Sequence, residues 1–253
     1  MKSDGRSTDS LAPDFVEREI LEPEIPESDI PEPDIPMPSL LSAGLLDFDG
    51  YSEGILGLGP GARVIMWLRG CNRRCPGCIA PELWKGRDPT PIDEIASLLL
   101  EPLSRADGLT ISGGEPFLQA GAVVALIDRL RRSIKTEVLV YTGYTMEELQ
   151  AGPSEWKDLV SVTDILIDGP YMEKQANTLQ WRGSDNQRVH LLTPEARKHN
   201  GAEDLKWPKH RPLSVQMLSP TKYRLVGIPE RGDLEKLREL LRERGLEVAY
   251  RHE

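Results

Sequence analysis

The sequence predicts an α/β fold: a mostly parallel sheet, open or closing as a partial (β/α) barrel, behind a disordered acidic N-terminal tail. Three observations predict it. From residue 45 onwards, short apolar runs alternate with stretches of helical spacing, the pattern of strands joined by right-handed crossover helices. Residues 1–44 hold three basic against eleven acidic residues and so carry −8 of the chain's formal −10. All three cysteines of the 253-residue chain, Cys71, Cys75 and Cys78, fall within eight consecutive positions.

The tail has a five-residue cadence that places Ile25, Ile30 and Ile35 each before a proline. Proline at that density forbids helix, and repulsion between the acids extends the chain, so polyproline II or disorder remains. A solvated spacer is the expected role, and a docking segment anchored by the isoleucines is the alternative. Beyond the tail the chain is nearly neutral, and 253 residues suffice for one large domain or two small ones, a large one burying about 70% of its unfolded surface. Three cysteines in one loop build no disulfide framework, which points to a reducing cytosol. Residues 1–44 contain no apolar segment long enough for a signal peptide or membrane helix, so a cytoplasmic, membrane-free protein is expected. Trp67, Trp84, Trp156, Trp181 and Trp207 form no periodic platform and no basic stripe accompanies them, which argues against nucleic-acid binding.

In chain order, Gly54, Gly57, Gly59 and Gly61 with Pro60 read as turns before a strand over 63–69, whose continuous apolar run suits a sheet buried on both faces. Thr90 reads as an N-cap and Pro91 as the first residue of a helix running to Leu103. A strand over 108–112, a helix over 118–132 and a strand over 137–141 follow. Thr145-Met146-Glu147-Glu148 is a capping box opening a short helix, and a strand over 164–168 comes next. Residues 181–188 read as a polar turn, 189–192 and 223–228 as strands, and 233–244 as a helix whose Leu234, Leu237, Leu240 and Leu241 face the core. Gly245 stops that helix, and 246–250 is expected to close the sheet.

A Cys-x3-Cys-x2-Cys loop supplies three thiolates. Three neither close a tetrahedral zinc site nor ligate every iron of a four-iron cluster, so one metal position stays open, as catalytic sites keep it. Structural zinc with a distant histidine is the competing reading, and His190, His199, His210 and His252 show no ligand spacing. The other residues of interest also follow strands: Gly113-Gly114-Glu115-Pro116, Tyr141-Thr142-Gly143-Tyr144 and Asp168-Gly169-Pro170. Ligands of parallel sheets sit at the carboxyl ends of the strands, which points to one shared pocket. Taken alone, Gly113-Gly114 is also an ordinary turn and Glu115 an acid at a helix start.

The cysteine spacing, followed some thirty-five residues later by a Gly-Gly-Glu-Pro turn, resembles the radical S-adenosylmethionine enzymes. Within that superfamily the chain is most similar to the activating proteins of anaerobic ribonucleotide reductase. Gly59-Pro60-Gly61, Cys75-Pro76-Gly77-Cys78, Tyr141-Thr142-Gly143-Tyr144 and residues 183–188 carry the likeness, which spans roughly 45–189. Two features depart from related patterns. Gly77 replaces the aromatic residue most superfamily members place before the last cysteine, as the activase branch also does. Asp168-Gly169-Pro170 lacks the lysine that pyruvate formate-lyase activators carry there.

The resemblance implies a radical S-adenosylmethionine domain over 45–253. A 4Fe-4S cluster would be held by Cys71, Cys75 and Cys78, with S-adenosyl-L-methionine at the open iron. It implies that Gly113, Gly114, Glu115 and Pro116 receive the methionyl amino group, that Gly77, Cys78 and Ile79 pack by the adenine, and that Asp168 accepts the ribose hydroxyls. Gly114 and Asp168 are therefore expected to matter to the cofactor and not to the cluster. The implied reaction is reductive cleavage to a 5′-deoxyadenosyl radical that activates a glycyl-radical enzyme partner. Arg69, Arg73 and Arg74 either dock a one-electron donor such as flavodoxin or ferredoxin or are solvated loop charges. A radical enzyme modifying a peptide or small molecule is the enzymatic alternative, and a non-catalytic iron-sulfur or zinc module the other.

Overall fold

The computed structural model describes residues 44–86, 89–176, 179–207, 211–219, 222–230 and 232–243. All lie in one compact unit. The predicted acidic tail, apart from Gly44, and the predicted strand over 246–250 lie outside the described residues.

The chain order is β1 (Leu45–Leu46), β2 (Phe48–Ile55), β3 (Arg63–Leu68), β4 (Thr90–Pro91), α1 (Ile92–Leu103), β5 (Gly108–Gly113), α2 (Ala120–Arg131) and β6 (Val138–Tyr141). It continues with α3 (Met146–Ala151), α4 (Ser154–Val162), β7 (Ile165–Asp168), β8 (Arg188–Leu191), β9 (Ser214–Ser219), β10 (Lys222–Val226) and α5 (Asp233–Glu243). A six-stranded sheet runs β2-β3-β5-β6-β7-β8. Its inner strands β3, β5, β6 and β7 are parallel, as the alternation of strands and helices requires, and the edge strands β2 and β8 are antiparallel to their neighbours. The sheet is thus mixed.

One face is packed by helices. Val64, Met66, Leu68, Leu109, Ile111, Val138, Val140 and Leu166 meet Ile95 and Leu99 of α1, Val123, Leu126 and Ile127 of α2 and Leu159 of α4, all buried. Each such side chain contributes about 1.5–3 kcal/mol. The other face is buried as well: Leu139, Ile165 and Ile167 lie under Trp181 and Ala196, Ile65 packs with Ile55, Leu58 and Val226, and the buried Arg63 donates to Thr110. Burial on both faces accounts for the unbroken apolar runs of the inner strands.

Several expectations differ from the structure. Thr90 does not cap α1: Thr90-Pro91 pairs with Leu45-Leu46, and Pro91 itself stands at the N-cap without a side-chain cap. Ile92 N instead donates to Gly44 O at 3.0 Å. The helix expected over 118–132 begins as a 3-10 turn, Pro116–Gln119, before α2. Of β2 the sequence reading takes in only Gly54, as a turn, because only Ser52 and Ile55 of this edge strand are buried and its polar and glycine residues hide the period. α4 and β9 were not anticipated. The leucines of α5 are not core: none of its residues is buried and Leu240 is 54% exposed. Among the described residues no helix is long and apolar enough to cross a membrane.

Candidate active site

Parallel pairing puts the carboxyl ends of β3, β5, β6 and β7 along one edge, with Leu68 beside Gly113 and Tyr141 beside Ile167. Residues 69–78, 113–116, 141–144 and 168–170 follow these strands in turn.

The cysteine loop is built by positive φ and by a returning segment. Gly70, Arg74 and Gly77 take φ values of 80°, 43° and 74°. For Arg74 this is an unfavourable region for a side-chain-bearing residue. Gly70 N and Cys71 N donate to Leu83 O and Trp84 O, both at 2.9 Å, so the 3-10 turn Pro81–Leu83 closes the root of the loop. Cys71, Cys75 and Cys78 are free thiols, half-buried. Burial pushes the Cys71 and Cys78 thiols up, while backbone N–H groups oppose that shift: those of Arg74 and Arg73 at Cys71, and that of Ala80 with the Trp84 side chain at Cys78. Three thiols, no fourth partner among the described residues and N–H donors aimed at two of the sulfurs suit an iron-sulfur cluster, whose potential responds to such donors. Among the described residues no group of three His, Cys, Asp or Glu is gathered as one metal ion requires. The thiolates of a cubane each bind a different iron and need no such convergence.

Gly113 and Gly114 serve close backbone packing. Gly113 has φ 106°, and a Cβ there would stand 2.5 Å from Leu68 O. At Gly114 a Cβ would collide with Gly70 O and lie 2.9 Å from the Arg69 carbonyl carbon. Gly114 N donates to Leu68 O and Glu115 N to Gly70 O, each at 2.8 Å, which locks this turn to the root of the cysteine loop. A side chain at Gly114 would therefore press on the root of the cysteine loop as well as on its own turn.

Glu115 is 1% exposed. Its Oε1 accepts from Phe117 N at 3.0 Å and Thr142 Oγ1 at 2.8 Å, and Oε2 accepts from Gly143 N at 2.8 Å. It is thus the N-cap of the turn Pro116–Gln119, the role open to any acid at a helix start, and it also binds the β6 turn. Burial pushes its carboxyl up to about 7 against those three donors. Pro116 is buried within the turn.

Tyr144 joins the β6 turn to the cysteine loop. Its hydroxyl accepts from Asn72 Nδ2 at 2.8 Å, and the Arg73 guanidinium lies 4.7 Å from its ring centroid. Gly77 and Ile79 flank Cys78 as expected; Ile79 is 51% exposed, and the space beside Gly77 is filled by Glu173, 3.1 Å from where a Cβ would stand. Glu173 escaped the sequence reading, since nothing in its neighbourhood marks that contact.

Asp168 is enclosed. Its Oδ2 accepts from Met146 N at 2.7 Å and Arg188 Nη2 at 2.5 Å, its Oδ1 accepts from Arg188 Nε at 3.1 Å, and His190 Nε2 stands 3.2 Å from Oδ2. Burial raises its pKa, but His190, Arg188 and the Met146 N–H together hold the carboxyl well below its usual range. Arg188 also makes a bidentate pair with Glu147 at 2.9 and 2.7 Å, which lowers Glu147 to about 2. Both oxygens of Asp168 are therefore spent on joining β7 to α3 and β8, and none faces outward for a ribose. The Gly183-to-Arg188 turn is likewise occupied internally. Gln187 Oε1 accepts from Gly183 N at 2.8 Å, Gln187 Nε2 donates to Gly169 O at 3.1 Å, and Asn186 Nδ2 donates to Pro170 O at 2.7 Å. Arg69, read as either a docking charge or a solvated loop charge, is neither: it is 5% exposed and pairs with Asp49 at 2.6 Å.

A family model described as a 4Fe-4S single cluster domain matches residues 58–190. The anaerobic ribonucleoside-triphosphate reductase-activating protein of Escherichia coli K12 is 32% identical over 143 residues, 53% of this chain and 91% of its own length. That of Vibrio cholerae is 33% identical over 144 residues, again 53% and 91%, and that of enterobacteria phage T4 is 30% identical over 150 residues, 56% and 92%. Among solved structures, QueE from Escherichia coli superposes with a TM-score of 0.37 at 14% identity, over 44% of this chain and 59% of its own. That distance is too great to bear on the reading of the site.

Proposed function

The chain belongs to the anaerobic ribonucleoside-triphosphate reductase-activating protein family, and from that membership we propose that its task is to install a glycyl radical on a large partner enzyme. It is a radical S-adenosylmethionine enzyme whose cofactors are a 4Fe-4S cluster and S-adenosyl-L-methionine. When bound and reduced, the cluster supplies the electron that splits S-adenosylmethionine into methionine and a 5′-deoxyadenosyl radical, which then abstracts hydrogen. In this reading residues 45–253 form the radical domain, its sheet a partial (β/α) barrel, with 1–44 as a spacer.

Cys71, Cys75 and Cys78 hold the cluster, and the N–H groups of Arg73, Arg74 and Ala80 stabilise their thiolates. Gly113, Gly114 and Pro116 offer backbone carbonyls to the methionyl amino group. Glu115 keeps that turn in place through Thr142 and Gly143 and supplies negative charge beneath it. Gly77, Cys78 and Ile79 form the adenine side, with Glu173 packed against Gly77. Asp168 orders the ribose side by fixing Arg188 and the first turn of α3. The partner is a glycyl-radical enzyme, whose glycine loop covers the cofactor and presents an unhindered α-hydrogen. The electron comes from a donor such as flavodoxin or ferredoxin, and the setting is the cytoplasm.

One observation carries this reading: the glycine turn and the cysteine loop are joined backbone to backbone, Glu115 N to Gly70 O at 2.8 Å, so both halves of the motif share one strand edge. Anaerobic incubation with a glycyl-radical partner, S-adenosylmethionine and reductant is expected to give a protein-borne organic radical by electron paramagnetic resonance. The signal is lost when the partner's glycine becomes alanine. Transfer of deuterium into 5′-deoxyadenosine from a peptide side chain or small molecule, with no glycyl radical, would replace this reading with a modifying enzyme.

A further inference from the structure

The three arginines around the cysteine loop are held in three different ways. Arg69 is spent on Asp49 and on the carbonyls of Glu82 and Lys85. Arg74 contributes its backbone, which takes a φ of 43° and lends its N–H to the Cys71 sulfur. Arg73 is pinned from several sides. Its stem crosses Gly143, where a Cβ would come within 2.7 Å of the Arg73 Cγ. Its guanidinium stacks on Tyr144, and Nη1 stands 3.5 Å from Glu148 Oε1. The preceding residue, Asn72, donates to the Tyr144 hydroxyl at 2.8 Å, and Tyr144, only 8% exposed, is wedged against Trp156 with ring centroids 4.4 Å apart. A solvated loop charge would not be held at its stem, its head and its neighbour. The Arg73 N–H, moreover, is itself directed at Cys71.

We propose that Arg73, clamped on Tyr144 beside Cys71, is the cation that sets the reduction potential of the cluster, with Tyr144 and Asn72 as its positioning residues. Reduction adds one electron to a cluster already made negative by three thiolates. A fixed positive charge in a half-buried setting favours the more negative state, and solvent screens it less than a mobile surface charge. The groups facing the guanidinium are the Tyr144 ring, Glu148 and, behind the turn, Glu115, which feels its charge. Glu148, whose side chain is 44% exposed, opposes the effect, and Tyr144, on which the guanidinium stacks, feels the charges of both Arg73 and Cys71. Arg69 adds little, since Asp49 neutralises it.

The inference rests on the three-cysteine cluster of the proposed function. Its test uses no S-adenosylmethionine and no partner, so it stands apart from whether a glycyl radical forms. Full-length protein is reconstituted with iron and sulfide and titrated anaerobically with dithionite, the one-electron state being followed by electron paramagnetic resonance. Arg73→Gln is expected to keep its iron but take up the electron at a more negative potential. Arg73→Lys should stay near the parent, and Glu148→Gln should move the potential the other way, since a glutamine oxygen still completes the capping box. An unmoved potential in an iron-replete Arg73→Gln protein overturns the proposal. If Arg73→Gln fails to hold iron, Glu148→Gln decides, and an unchanged potential there overturns the proposal.

Discussion

Glu115 Oε2 accepts a 2.8 Å hydrogen bond from the backbone N–H of Gly143, twenty-eight residues away, and this bond joins the glycine turn after β5 to the turn after β6. Every donor around the carboxylate, Phe117 N, Thr142 Oγ1 and Gly143 N, points towards it, so the ionised side chain is matched as an acceptor. Glu115→Gln places an amide N–H where one of these donors already points. It is expected to cost about 1–3 kcal/mol in urea unfolding of the apoprotein, and an unchanged midpoint would reject that role.

The same residue gives stability a pH dependence. Its folded pKa of about 7 lies above the ordinary value of 4.5, so between those two values the native state holds a proton that the unfolded chain has released. Stability from this group is full below the lower value and falls as pH rises through the higher one. Urea midpoints of the parent and Glu115→Gln proteins, compared from pH 4.5 to 7.5, should converge towards alkaline pH apart from a constant offset. Parallel curves would show that Glu115 does not titrate there.

Anaerobic reconstitution should give about four irons per chain, the content of one cubane. Alanine at Cys71, Cys75 or Cys78 should abolish it. One equivalent of zinc without iron-sulfur absorbance would point to a structural metal module instead.

Gly114→Val should reduce iron content as well as S-adenosylmethionine binding, because its side chain would meet Gly70 O and the Arg69 carbonyl at the root of the cysteine loop. Iron analysis separates this from a purely cofactor-blocking effect, in which the full cluster is retained.

Asp168→Ala strips the partner from the Met146 N–H and half the partners from Arg188. A loss of about 1–3 kcal/mol for the stranded donors is expected, with iron retained. Because its folded pKa is depressed below the usual 3.8, the contribution of Asp168 is present above that value and lost as pH falls further below it. Acid unfolding of the variant should therefore show a shallower dependence than the parent below about pH 4. Equal slopes would reject the latch.

What the sequence by itself determined is local or periodic. The cysteine spacing, the Thr145–Glu148 capping box and the apolar runs of β3, β5, β6 and β7 each depend on residues near one another in the chain, and the parallel crossover rule then brings the strand ends to one edge. The edge strand β2 and the hairpin strand β9 were not legible, because half-exposed strands carry little apolar period. Only the tertiary structure decided where the carboxylates point. Glu115 and Asp168 look from the sequence like acids offered to a ligand. Each instead turns inward to donors that lie two to twenty-eight residues along the chain, because a buried carboxylate must find N–H or O–H partners wherever packing brings them.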